Sequence, residues 1–317
     1  MKLKKILDKF PPPKFLDPDF TALVFSDANI RLLALDRANF HTENFLEISL
    51  AEGAIVSGVI KKEGEIVKVL EGLKEKVKSP FVKFAVPDEI SYVFTASVSV
   101  SAGQTAEEPV SFILEENVPL LLSDISFDFT PLNIEKSENG FKSKMLVTAV
   151  SSSIIESYTK VLKEAGFVPI YCVNESQAIA RSIVPSTANE NAAIVYVHRN
   201  IVGIYITEGQ IVEFSSTIQI PPNSSPKLFT SFVTAELKKS LDYWREKAGK
   251  DKARIINCYL CGKYEECKLV IEDAGKLGEV AVRFGNVWQN TFSLADYIPE
   301  ISFEDSLRFA GAVGLFL

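Results

Sequence analysis

The chain carries one pattern twice. Residues 21–35 read TALVFSDANIRLLAL, and residues 192–206 read AAIVYVHRNIVGIYI. The two align without a gap: four apolar residues, a short polar tip with Asn29 or Asn200 in the same place, then Ile30 or Ile201 opening a second apolar run. Val, Ile and Leu on either side of a tight polar turn predict a β-hairpin in each case. A hairpin opening each half of a 317-residue chain implies two related α/β domains. In that arrangement the turns meet at a cleft, where backbone N–H groups can converge on phosphate.

Composition narrows the function classes. With 47% hydrophobic and 24% charged residues the chain is a globular one with a sizeable core. A net charge of −7 argues against nucleic acid as a partner. No apolar run is long enough to predict a membrane span, and Pro11, Pro12 and Pro13 stand where a secretory signal would need an apolar stretch. Four cysteines are too few for a disulfide framework, which makes the cytosol the expected compartment. Cys258 and Cys261 form a C-x-x-C at a strand end and read as buried thiols, not as a zinc or redox site. His41 and His198 are the only histidines, and His198 reads as an exposed turn residue. No Ser-His-Asp arrangement is found: Ser151–Ser153 read as a helix start. Neither a catalytic residue nor a metal ligand is assigned.

Apolar spacing predicts the elements in order. Met1–Phe10 has Leu3, Ile6, Leu7 and Phe10 on one face and Lys2, Lys4, Lys5 and Lys9 on the others, a short basic amphipathic helix suited to a membrane surface or a partner. After the first hairpin come a strand over Phe45–Leu50, a helix over Glu65–Val77, and strands over Phe81–Val86 and Tyr92–Val100. Thr105 with Glu108, and Ser153 with Glu156, read as capping boxes opening helices. Strands follow over Asp124–Leu132, Lys144–Val150 and Phe167–Val173, then a helix over Glu175–Ile183. The second hairpin leads to a strand over Ile211–Ile220, a long helix over Phe229–Lys247, a strand over Ile255–Leu260, and a last helix capped by Ser302. The expected organisation is a tail over 1–19, a first domain over 20–78 and 172–190, an inserted α+β subdomain over 79–171, and a second domain over 191–317. The helix 303–317 is expected to pack back on the first domain.

This order resembles the actin/Hsp70/sugar-kinase superfamily, and within it the PilM family of type IV pilus assembly, an FtsA-like branch. TALVFSDANIRLLAL stands where the superfamily has its first phosphate hairpin, with Arg31 at a usually basic position. GAIVSGVIKKEGEIVKVLEGL, MLVTAVSSSIIESYTKVLKEAGFVPIYCVNESQAIARS, ELKKSLDYWRE, YLCG and GAVGLFL resemble the family's later segments in order and spacing. The resemblance implies an actin-like (ribonuclease H-like) two-domain α/β fold with ATP and Mg²⁺ as the ligand of its cleft. Residual nucleotide contacts would fall to Ser26, Asp27, Asn29, Arg31, Arg199, Asn200 and Gly262. It also implies a partner groove involving the inserted subdomain, with Phe94, Val98, Val100 and Phe127 as lining. The occupant would be the cytoplasmic segment of a PilN-like bitopic membrane protein, with other pilus platform components nearby.

The departures decide the expected chemistry. Each hairpin of the superfamily carries D-x-G, an Asp that orders Mg²⁺ and a Gly that lets the backbone approach phosphate. Aligned through Ile30 and Arg31, those positions are Val24 and Ser26; by the ungapped repeat, the second pair is Val195 and Val197. Phosphoryl transfer rests on positioning and on metal neutralisation of charge, so no ATPase activity and no resident cofactor are expected. The expected function is a non-catalytic cytoplasmic scaffold at the inner face of the membrane. The alternative is a nucleotide-switched protein of the same fold.

Overall fold

The computed structural model describes residues 18–36, 41–137, 140–187, 191–248, 254–273, 280–293 and 295–317. The amphipathic helix expected over Met1–Phe10 lies outside them. Both repeats fold as hairpins. β1 (Thr21–Phe25) pairs antiparallel with β2 (Asn29–Asp36), and β3 (His41–Ser49) extends the meander. A ribbon of β4 (Ile55–Val56) and β5 (Val59–Ile60) leads into α1 (Glu63–Lys74). α1 buries Ile66, Leu70 and Leu73, one apolar stripe at i, i+4 and i+7. β6 (Phe81–Val86) then lies parallel to β1.

The chain next builds a separate antiparallel sheet from β7 (Ser91–Ser101), β8 (Ile125–Pro131), β9 (Glu135–Ser137) and β10 (Gly140–Ser151), in the order β7-β10-β8 with β9 beside β10. The helix between β7 and β8, α2 (Glu107–Asn117), covers one face with Val110 and Leu114. α3 (Ser152–Glu164), β11 (Val168–Asn174) and α4 (Glu175–Ile183) return the chain to the first sheet, whose order is β11-β6-β1-β2-β3. α3 seats Tyr158, Val161 and Leu162 against Phe25 and Phe84. The inserted subdomain is therefore smaller than 79–171. β6 is a strand of the first sheet, α3 belongs to its core, and the insertion reduces to Ser91–Ser151.

The second domain repeats the plan. β12 (Asn191–His198), β13 (Ile201–Glu208) and β14 (Ile211–Gln219) form the meander, followed by α5 (Pro226–Ala248), β15 (Ile255–Gly262), α6 (Tyr264–Asp273) and β16 (Ala281–Phe284). The sheet order β14-β13-β12-β15-β16 matches the first domain strand for strand. α7 (Phe303–Ser306), a 3₁₀ turn and α8 (Ala310–Gly314) close the chain. Ser302 caps α7 by accepting the Asp305 N–H at 3.0 Å. The capping boxes expected at Thr105 and Ser153 do not form. Their helices begin at Glu107 and Ser152 with no side-chain cap, and the Ser153 hydroxyl bonds that of Ser151 instead. α8 packs on α4 so closely that a Cβ on Gly314 would stand 1.7 Å from the Ala178 carbonyl oxygen. One core thus runs through both halves, with Val24, Ala178, Ile183, Tyr196, Tyr205 and Val313 in a single cluster.

Candidate functional site

Arg31 sits on β2, in the middle of an apolar strand, and is 2% exposed. A buried guanidinium needs counter-charges and acceptors, and it draws four partners from three elements. Across the β2–β3 ladder, Nε donates to Glu47 Oε1 at 3.1 Å. Nη1 donates to the Tyr196 hydroxyl of β12 at 2.6 Å and stands 3.5 Å from Glu175 Oε1 at the start of α4. Nη2 is 3.0 Å from His198 Nδ1 at the end of β12. Arg31 can only donate, so Nδ1 accepts and Nε2 carries the imidazole proton. That proton points at Ser26 Oγ, 2.9 Å away on the first hairpin. Ser26 in turn bonds both the carbonyl and the side-chain oxygen of Asn29. Asn29 Nδ2 donates to Glu47, whose second oxygen accepts from Arg308 at 2.6 Å.

The electrostatics fit this network. Burial opposes the Arg31 charge, but Tyr196, Glu175 and Glu47 outweigh it and hold the guanidinium protonated. Burial, together with Arg31, keeps His198 well below its ordinary value, so the ring is neutral as the geometry requires. Burial pushes Glu175 up to about 7, against the Arg31 charge and the Tyr196 hydroxyl that donates to it at 2.8 Å. Two hairpins that would grip a phosphate are instead bridged by side chains. Beside this bridge, a small pocket of about 30 Å³ remains among Ser26, Asp88, Glu175, Tyr196 and His198. That holds about one water, where small-molecule sites run to several hundred Å³.

The register explains why the sequence located the second half of this site one residue away. The first hairpin closes with Ser26 opposite Asn29, leaving Asp27 and Ala28 as the turn. The second closes with His198 opposite Ile201, leaving Arg199 and Asn200. The true equivalence is thus one residue later than the ungapped repeat. The partners of Val24 and Ser26 are Tyr196 and His198, not Val195 and Val197. Because side chains alternate, one step exchanges faces: Val195 and Val197 lie in the core under α5, while Tyr196 faces the cleft. His198, expected as an exposed turn residue, is buried.

The other expected contacts have structural work. The Asp27 carboxylate accepts the N–H groups of Ser57 and Gly58 at 2.7 and 2.9 Å, fixing a turn in which both residues have positive φ. Arg199, at φ 54°, and Asn200 are exposed on an open recess of about 400 Å³ that both hairpin turns line, with Asp27, Ala28 and His198 beside them and Glu52 and Gly53 across it. Gly262, at φ 101°, lets β15 abut the second hairpin: a Cβ there would stand 2.0 Å from the Val197 carbonyl oxygen. Cys258, Cys261 and Cys267 are buried thiols. Among the described residues, no three His, Cys, Asp or Glu side chains converge as metal ligands would, and no helix is long and apolar enough to cross a membrane.

The inserted subdomain also corrects the expected groove lining. Val98 and Val100 are 1% and 3% exposed, and with Phe94 and Phe127 they face α2 in the subdomain core. The accessible groove, about 280 Å³, lies on the opposite sheet face. There Val93, Asp128, Thr130, Leu146 and Thr148 oppose Tyr171 and Arg181 of the first domain and Gln210 of the second. Its walls are the outer strands of two sheets, β8 and β11.

Comparison with known proteins agrees with this architecture. The chain is similar to a solved structure described as a "PilM-PilN type IV pilus biogenesis complex", with TM-score 0.77, 14% identity, and 94% of this chain and 97% of the other covered. It is also similar to the ethanolamine utilization protein EutJ of Carboxydothermus hydrogenoformans (TM-score 0.54, 10% identity, 96% and 90% covered). A Bacteroides thetaiotaomicron protein with an actin-like ATPase fold and unknown function matches at TM-score 0.50 and 10% identity, with 83% and 90% covered. No curated protein matches the sequence. These likenesses establish the actin-like ATPase fold. The model of the type IV pilus assembly protein PilM matches residues 23–218, more than half of the chain, and the protein therefore belongs to the PilM family.

Proposed function

We propose that this protein is a nucleotide-independent scaffold of a type IV pilus assembly platform, working in the cytoplasm at the inner face of the membrane. The observation that carries the reading is the Arg31 network. Arg31, Tyr196, His198 and Ser26 join the two hairpin turns across the space a nucleotide's phosphates would need. Neither hairpin offers a carboxylate for Mg²⁺ from the strand positions held by Val24 and Tyr196. The partner is the cytoplasmic segment of a PilN-like bitopic membrane protein, a reading supported by family membership and by the likeness to a PilM–PilN complex. The groove between β8 and β11 suits an extended peptide. It has two free strand edges for main-chain pairing, apolar Val93 and Leu146 on its floor, and Tyr171 on its wall.

Calorimetric titration of the full chain with Mg·ATP tests the first half of this reading. No heat of binding is expected at several temperatures. Binding of micromolar strength, about −8 kcal/mol, would sink it and make the protein a nucleotide switch.

A further inference from the structure

From Phe84 to Glu135 the chain holds nine carboxylates and no Lys or Arg. Within that stretch, Glu108, Phe112, Glu115 and Glu116 fall at i, i+4, i+7 and i+8. They form the solvent face of α2, opposite the buried Val110 and Leu114. Phe112 is 70% exposed and Leu121, just past the helix, 72%. Among the described residues, none of the three carboxylates around Phe112 has a cationic partner. An exposed ring set among unpaired carboxylates fits an occupant whose apolar residues are flanked by cations. Residues 2–10 have that composition: Leu3, Ile6, Leu7 and Phe10 on one helical face, bordered by Lys2, Lys4, Lys5 and Lys9.

The topology separates this segment from its own α2. β1 and β6 run parallel with Thr21 opposite Val82, so the start of β1 stands at the end of the first sheet remote from β7. At about 3.3 Å per residue, the path along β6 and β7 to the middle of α2 is on the order of 35 Å. Ten fully extended residues, 11–20, reach about 33–36 Å, so docking in cis would demand a linker stretched to its limit. A neighbouring molecule imposes no such limit. We propose that the α2 face is the docking site for residues 2–10 of a second copy of this chain. Such a contact joins different surfaces on the two molecules, so repetition gives a ring or an open chain.

Sedimentation velocity on the full chain and two surface variants tests this. Lys4→Gln/Lys5→Gln/Leu7→Gln disables the segment, and Phe112→Gln/Glu115→Gln/Glu116→Gln disables the face. Wild type is expected to associate increasingly with concentration at low salt and to dissociate at high salt. Each variant alone should lose at least about tenfold in self-affinity. An equimolar mixture of the two should form a dimer and stop there, because it has one working segment and one working face. The inference is overturned if wild type stays monomeric at hundreds of micromolar, or if either variant self-associates as strongly as wild type. It also falls if the segment variant alone loses binding to anionic lipid vesicles while the α2 variant self-associates like wild type.

Discussion

An arginine inside an apolar strand has to find its partners far along the chain, and this one makes the cleft sensitive to pH through two of them. Glu175 titrates near 7 in the folded protein and near 4.3 when unfolded. The folded state therefore holds its proton more tightly, and this contribution is complete below pH ~4.3 and is lost as pH rises through about 7. His198 runs the other way. Its folded value lies well below the ordinary 6.5, so its contribution is present above that value and is lost as pH falls below it. Urea unfolding from pH 4 to 8 should separate them. Glu175→Gln, which keeps an acceptor for Tyr196, should remove a decline on the order of 2–3 kcal/mol between pH ~4.5 and ~7. His198→Gln should flatten the acidic limb. Parallel curves for wild type and both variants would show that neither group is buried as described. Arg31 itself was visible in the sequence as a cation in NIRLLAL, but its partners were not. Tyr196 and His198 lie 165 and 167 residues away, and no local pattern marks Glu47 or Glu175 as its counter-charges.

At the scale of elements, type and order were legible because apolar periodicity is local, whereas faces were not. The two hairpins, α1, α4 and the long α5 stand within a few residues of their sequence spans. The ungapped repeat nevertheless placed Val195 and Val197 where Tyr196 and His198 belong, since turn length and not sequence similarity sets hairpin register. The same ambiguity misplaced the groove. β7 alternates from Tyr92 to Val100, and alternation identifies two faces without saying which one a helix will cover. The structure separates the two readings by experiment. Thr148→Lys on the groove face should leave the unfolding free energy within about 0.5 kcal/mol while weakening binding of a peptide of the PilN-like cytoplasmic segment by tenfold or more in fluorescence anisotropy. Val98→Asp buries a charge under α2 and should cost about 3 kcal/mol or more of stability. Tight peptide binding by Thr148→Lys would move the partner to another surface.

For the whole molecule the question is whether the two halves can part. In an actin-like fold that works as a switch, the domains must rotate about a soft connection. Here α4 lies between the sheets and α8 is locked onto it at Gly314, while Tyr196, Tyr205 and Val313 share one cluster with Val24 and Leu33. The Arg31 network closes the same seam from the hairpin side, with Arg308 of the C-terminal segment joined to Glu47 of β3. A seam that is apolar at its base and ion-paired at its mouth has no cheap opening, so the halves should unfold as one cooperative unit. Native-state hydrogen exchange gives this a number. Amides of Leu23 in β1 and Ile204 in β13, one from each hairpin, should exchange with the same free energy, equal to that of global unfolding. Mg·ATP should leave both unchanged. In Arg31→Met the buried Glu175 and the ring of His198 lose their cation, and both amides should fall together by about 3–5 kcal/mol. If instead one hairpin exchanged through a lower-energy opening that left the other protected, the domains would be independently mobile. The molecule would then be a hinge, with the cleft side chains as its catch.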